Sequence, residues 1–183
     1  MKIKKIMYMI AVLLIYTRAS MSIAAEELVP LPIKMEVVNI TCLINDGVGI
    51  NQQVHLPLAS QADLRAGTAK GGLAKIMVDC SNNSDIPAGI KVSLTPAGGA
   101  SAVGSGVDGI LSTDLSGVAL KLVWQINDQP ASLAVGDYST FSPSASDPLR
   151  WNISLLVTPQ YVQGDEIGKG FYNSAVKVNV TYL

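Results

Sequence analysis

The chain has 183 residues, room for one domain, with 13 basic and 14 acidic residues and a formal net charge of −1. No cluster of Lys and Arg of the kind that binds a phosphate backbone follows its first residues, which argues against a nucleic-acid partner. A single histidine, His55, and two cysteines, Cys42 and Cys80, argue against most Ser/His/Asp, Cys/His and metal-ligand arrangements.

The chain begins with Lys2, Lys4 and Lys5, then an apolar run from Ile6 to Tyr16, then small residues. This is the pattern of a secretory signal peptide over residues 1–24, cut after Ala24, with Ala25 as the second choice. The apolar run is short for a membrane span of roughly 20 residues. Removing the leader's four basic residues (Lys2, Lys4, Lys5 and Arg18) leaves nine basic against 14 acidic, a net charge of −5.

Next comes AEELVPLPIKMEVV, in which Val29, Leu31, Ile33, Met35 and Val37 alternate without a turn. Pro30 and Pro32 have no amide hydrogen for a sheet ladder, so this stretch reads either as the start of the first strand or as a separate arm with a strand-like apolar face. Short strands then follow in order, each with an inward set two residues apart. QVHLPLA places Val54, Leu56 and Leu58 inward and His55 outward. AKIMVDC places Ala74, Ile76, Val78 and Cys80 inward, and IKVSL places Ile90, Val92 and Leu94. VALKLVW gives Val118, Leu120, Leu122 and Trp124, and RWNISLLV gives Trp151, Ile153, Leu155 and Val157. The chain closes on a strand from Ala175, with Val176, Val178, Val180 and Tyr182 on one face.

Between the strands lie turn-rich stretches such as SNNSDIPAG, TPAGGASAVGSGVDG, INDQPASLAVGD and PQYVQGDEIGKG. Only SQADLRAG, opened by Ser60, predicts a helical turn. In an exported chain the two cysteines most simply pair with each other. Many short strands, Gly-rich turns and one disulfide predict an all-β, immunoglobulin-like sandwich.

Catalytic patterns are missing: no phosphate-cradling GxxxxGK[ST], no metal-spaced His or Cys, and an Asp165–Glu166 pair that reads as a solvated acidic turn. Trp124 and Trp151 alternate with inward aliphatics, which favours core packing over stacking on a sugar. The Gly98–Gly109 loop could carry adhesive contacts.

KMEVVNITC, Lys34 to Cys42, closely resembles the stretch that opens type 1 fimbrial subunits of the chaperone–usher pathway. The similarity continues through INDGVGINQQVHLPLA to Cys80 in VDC. It resumes in GFYNSAVKVNVTYL, where Gly170 is fourteenth from the end and Tyr182 is penultimate. The resemblance covers essentially the whole mature chain. It implies an incomplete immunoglobulin-like sandwich lacking its last strand, completed by a donor strand. Residues 25–33 would be an N-terminal donor-strand extension carrying Val29, Leu31 and Ile33, and residues 34–183 the pilin domain. Gly170, Val176, Val178, Val180, Tyr182 and Leu183 would form the terminal strand that lines the groove and meets the chaperone. The implied protein is a non-enzymatic structural subunit of a fimbrium on the bacterial surface, exported through the periplasm and contributing to cell adhesion. Its partners would be a periplasmic chaperone, an outer-membrane usher and neighbouring subunits, with no cofactor. The alternative is a minor tip, adaptor or terminating subunit with a direct role in binding a host glycan or protein.

Overall fold

A computed structural model describes residues 29–37, 42–47, 51–83, 86–143 and 146–183. The predicted signal peptide, residues 1–24, lies outside the described residues, as do residues 25–28 of the expected arm. Among the described residues the chain is almost entirely β, in twelve short strands with one short α-helix.

The first sheet has the order β3 (Gln52–Leu56), β1 (Val29–Val37), β12 (Ala175–Tyr182), β6 (Ile90–Ala97), β9 (Ser139–Phe141). Its longest ladder joins β12 to β6, antiparallel over eight pairs from Ala175–Ala97 to Tyr182–Ile90. Facing it are two shorter sheets, β10 (Arg150–Asn152), β5 (Met77–Asp79), β2 (Leu43–Ile44), and β4 (Gly72–Ala74), β11 (Leu155–Tyr161), β8 (Val118–Trp124), β7 (Ile110–Ser112). These two are one bent layer. The register is constant across the break between them, with Leu155 opposite Ala74 and Asn152 opposite Met77. At the bend Ile153 N–H still donates to Ile76 C=O at 2.9 Å, while Ile76 N–H turns to Ser154 Oγ at 3.0 Å.

The alternation read from the sequence is the alternation of burial. Ile76, Val78, Ile90, Val92, Leu120, Leu122, Ile153, Leu155, Val157, Val176 and Val178 are all buried in one core between the layers. Trp124 and Trp151 lie in that core, 1% and 2% exposed, as the alternation predicts rather than a sugar platform would require. Trp124 Nε1 donates to Ser139 Oγ at 2.9 Å, and its ring meets Phe141 edge-on at 5.0 Å. Leu58, placed inward by the same alternation, is instead 54% exposed. It stands beyond β3, where Pro57 ends the strand.

The predicted helical turn is α1 (Gln61–Ala66). Ser60 Oγ accepts from Asp63 N–H at 3.1 Å, and the Asp63 carboxylate accepts from Ser60 N–H at 3.2 Å, a reciprocal cap. These hydrogen bonds hold the Asp63 carboxyl below the usual carboxylate range. Gly67 closes the helix in the left-handed conformation, φ 67°. Strands β7 and β9, each only three residues long, follow turn-rich stretches and were not predicted from the sequence.

Cys42 and Cys80 form a disulfide, as their number and compartment predict, and both are 1% exposed. The bond joins the entry of β2 to the exit of β5 across 38 residues. Closing a loop of that length stabilises by about 4 kcal/mol in the chain-entropy account. The double variant Cys42→Ser/Cys80→Ser should therefore lose about that much stability by urea denaturation; an unchanged midpoint would show that the neighbouring core already fixes these segments.

Candidate functional site

The site is the space between β3 and β12. Each presents buried apolar residues to the core: Val54 and Leu56 from β3, and Val176, Val178 and Val180 from β12. These two strands do not pair with each other. The backbone of β1 runs between them, antiparallel to β3 from Val29–Leu56 to Ile33–Gln52, and parallel to β12 from Ile33–Val176 to Val37–Val180. The pairing hands over at Ile33, the one residue registered with both neighbours. The expected donor residues Val29, Leu31 and Ile33 thus stand beside β3. The strand runs on through the expected arm boundary to Val37.

β12 carries the other expected site residues. Its main chain is pinned to the last residue: Leu183 N–H donates to Gly89 C=O, and Ala88 N–H donates to Leu183 C=O, both at 2.9 Å. A chain end normally frays; this one is held through both its amide and its carbonyl. The side chain of Leu183 is half exposed, and Tyr182 is half buried. Burial pushes the Tyr182 phenol above its ordinary range, the nearby Cys42 main chain pulls the other way, and the hydroxyl has no hydrogen-bond partner. The entry of β12 is fixed by Ser174 Oγ donating to Ser112 C=O at 2.6 Å and by Asn173 N–H donating to Asp114 Oδ1 at 2.5 Å.

Gly170 lies five residues before β12, with φ 136°, a backbone that L side chains rarely adopt. It borders an open, largely apolar hollow of about 420 Å³, built by Leu58, Leu64, Leu115, Ile167, Phe171 and Tyr172 among others. Since β1 pairs Val29 with Leu56, and Leu58 and Tyr172 line the hollow, the hollow lies past the first residue of β1, in line with the groove. Phe171 is 56% exposed at its rim. Tyr172 is buried, its hydroxyl has no hydrogen-bond partner, and burial pushes its phenol above its ordinary range. Such an unmet polar atom costs about 1–3 kcal/mol. Among the described residues, then, the groove has a stretch covered by β1 and a hollow beyond Val29.

The remaining sequence candidates lie elsewhere. His55 is exposed on the outward face of β3, and Asp165 and Glu166 are exposed in the loop after β11. No group of three or more His, Cys, Asp or Glu among the described residues could hold a metal ion. The Gly98–Gly109 loop is folded onto the second layer. Val103 N–H donates to Ile110 C=O, and Leu133 N–H donates to Gly106 C=O, each at 2.8 Å, and Gly106 and Gly109 are buried. A second hollow of about 280 Å³ beside β6 holds Asp137 and Tyr138. There the Lys91 ammonium covers the Tyr138 ring at 4.5 Å, so the aromatic face a sugar would stack on is taken.

One site residue gave no sequence signal. Gly72, in β4, lies under β3: an added Cβ would meet Val54 Cγ1 at 2.7 Å, Leu56 Cδ2 at 2.9 Å and the His55 carbonyl at 3.2 Å. The close approach of the two layers at the groove wall depends on this missing methyl group.

No protein-family model matches the chain, and no curated protein matches it in sequence. Solved structures do match. The P pilus rod subunit PapA superposes with a TM-score of 0.52 at 15% identity, covering 79% of this chain and all of that one. A chaperone–usher pilus structure that addresses rod uncoiling superposes with a TM-score of 0.59 at 17% identity, covering 81% of this chain and 91% of that one. The chain has the fold of these pilus subunits.

Gly72→Ala should push β3 outward, costing about 1–3 kcal/mol, and should raise amide exchange in β1 and β3 more than in β8 or β11. Equal effects on all strands would mean that Gly72 serves the core generally and not the groove wall.

Proposed function

We propose that this protein is a non-enzymatic structural subunit of a bacterial surface fimbrium, and that its groove is where a periplasmic chaperone and then a neighbouring subunit each lend a strand. The observation that carries this reading is the occupant of the groove. Between β3 and β12 the sandwich has a place for a strand that no core element supplies, and the N-terminal segment fills it. A segment at the chain start that can fill such a place in its own molecule can fill it in another. Strand addition suits the task, because main-chain bonds give affinity and alternate side chains give register. The pilus subunits that share the fold support the same direction.

On this reading Val29, Leu31 and Ile33 belong to the donor segment, residues 25–33. Gly170, Val176, Val178, Val180 and Tyr182 belong to the acceptor. The Leu183 carboxylate is the point that basic groups of a chaperone would hold. An outer-membrane usher would be the place of exchange, and the product a fibre on the cell surface that contributes to adhesion. A direct receptor-binding role as a tip, adaptor or terminating subunit is less well supported, since the Gly98–Gly109 loop is packed and Lys91 covers Tyr138.

The test is thermal unfolding of the mature chain and of a version lacking residues 25–33, with and without a synthetic peptide of residues 25–37. The shortened chain should be markedly less stable, and the peptide should restore it. At 100 times its Kd a groove ligand adds about 2.7 kcal/mol. A shortened chain as stable as the intact one would mean that no strand is missing, and the proposal would fall.

A further inference from the structure

We propose that the open edge of β6, from Leu94 to Pro96, is a docking slot for a short extended segment of an acidic partner protein. The slot is separate from the groove, because β12 stands between β6 and β1. It does not depend on strand exchange.

The open edge follows from the ladders on either side of β6. In an antiparallel ladder, pairs that exchange both main-chain hydrogen bonds alternate with pairs that exchange none. Leu183 N–H donates to Gly89 C=O, so the odd-numbered residues of β6 bond to β12. Pro96, opposite Val176, has no N–H and fits the same phase. The even-numbered residues turn their main chain the other way. Ile90 and Val92 meet Phe141 and Ser139 of β9 there, and the ladder then stops. It stops because the chain before β9 is bent away by a turn. Asp137 N–H donates to Ala134 C=O at 3.1 Å, with Gly136 at φ 83°. Leu94 N–H, Leu94 C=O and Pro96 C=O are left without a partner among the described residues.

Leu94 is only 4% exposed, and buried main-chain groups are nearly always paired. Beside this edge lies the hollow of about 280 Å³, bounded by Leu133, Val135, Asp137 and Tyr138. Val135 is fully exposed and Tyr138 half exposed, so the hollow opens to solvent. Three strand residues span about 10 Å. A segment laid antiparallel to β6 would exchange two hydrogen bonds with Leu94 and give one to Pro96, which is strand addition. Its residues opposite Leu94 and Pro96 would face inward, toward buried Leu133, and suit apolar side chains. The residue between them, opposite Thr95, would face outward.

Charge selects the partner. Strands β6, β9 and β12 carry Lys91 and Lys177 and no carboxylate side chain. Lys177 stands opposite Thr95, and the Lys91 ammonium lies over Tyr138 at the rim of the slot. Asp137, the acid in the wall, is engaged with Tyr138 N–H at 2.8 Å. An acidic side chain opposite Thr95 is therefore attracted and a basic one repelled. The contact of Lys91 with Tyr138 stays in place.

The experiment is amide hydrogen exchange by NMR on the mature chain, with the capped peptide Thr-Val-Glu-Val-Thr as probe. Without peptide, the Leu94 amide should exchange about tenfold faster than those of Ser93 and Thr95, although Leu94 is the most buried of the three. Saturating peptide should slow it about tenfold and leave the amides of β1 unchanged. The variant Lys91→Glu/Lys177→Glu should bind this peptide about tenfold more weakly and prefer the peptide with lysine in place of glutamate. A Leu94 amide as slow as its neighbours would mean that the edge is closed. A fast amide that millimolar peptide leaves unchanged would mean an edge satisfied by water only. Protection that grows with protein concentration in the absence of peptide would place a second copy there. Each of these outcomes overturns the proposal, and an equal response to the glutamate and lysine peptides overturns its acidic partner.

Discussion

The inner edge of β12 is the constraint on which the rest of the structure depends. One edge of this strand is satisfied by eight pairs with β6; the other must find a strand from somewhere. Unsealed, it would expose a row of main-chain donors and acceptors together with Val176, Val178 and Val180, now between 0% and 3% exposed. Full burial of a valine contributes about 1.5–3 kcal/mol, and a domain of this kind has a net stability of about 5–15 kcal/mol. Uncovering even part of those three side chains therefore removes a large share of what holds the fold together. An empty groove and a stable free subunit are close to incompatible, so some strand must always be present.

The rest of the molecule supports that edge. The second layer is one ladder of constant register bent at Ile76 and Ile153, which gives the groove a rigid floor. Gly72 lets β3 settle onto that floor. The disulfide anchors the chain at Cys42, close behind β1, and the bonds of Leu183 with Ala88 and Gly89 hold β12 straight to its end. This is why a strand can run to the final residue without fraying: its terminal amide and carbonyl belong to the sheet.

Much of this was legible in the sequence, because burial on one face writes a period of two. Every inward residue assigned from Ala74 to Val180, in the last five readable strands, is buried. The disulfide followed from counting, and α1 from Ser60 and Gly67. Three things were not legible. Strands β7 and β9 are too short to show a period. Leu58 continues the alternation of β3 although the strand has ended, so periodicity misplaced it. Gly72 matters for an absent atom, and nothing in a linear sequence marks where two layers approach. The groove itself stood on resemblance in the sequence, and its occupant could not be assigned: alternation in residues 29–37 shows a strand, but not which molecule's sheet it joins.

The direction of β1 follows from its tether. Five residue steps separate Val37 from Cys42, a reach of at most about 17 Å. Cys42 lies at the Tyr182 end of β12, with its main chain near the Tyr182 side chain. Parallel pairing puts Val37 beside Val180, about two residues or 7 Å short of that level. Antiparallel pairing over the same stretch would put it beside Val176, about 20 Å away, beyond the reach of the chain. The tether thus favours the parallel entry that the resident strand adopts. A strand from another molecule carries no such tether and is free to enter antiparallel, the arrangement with the slightly better ladder. Covalent connection thus holds the resident strand in the weaker geometry. If the groove exchanges strands as proposed, that geometry would ease replacement of the chain's own strand by one from outside.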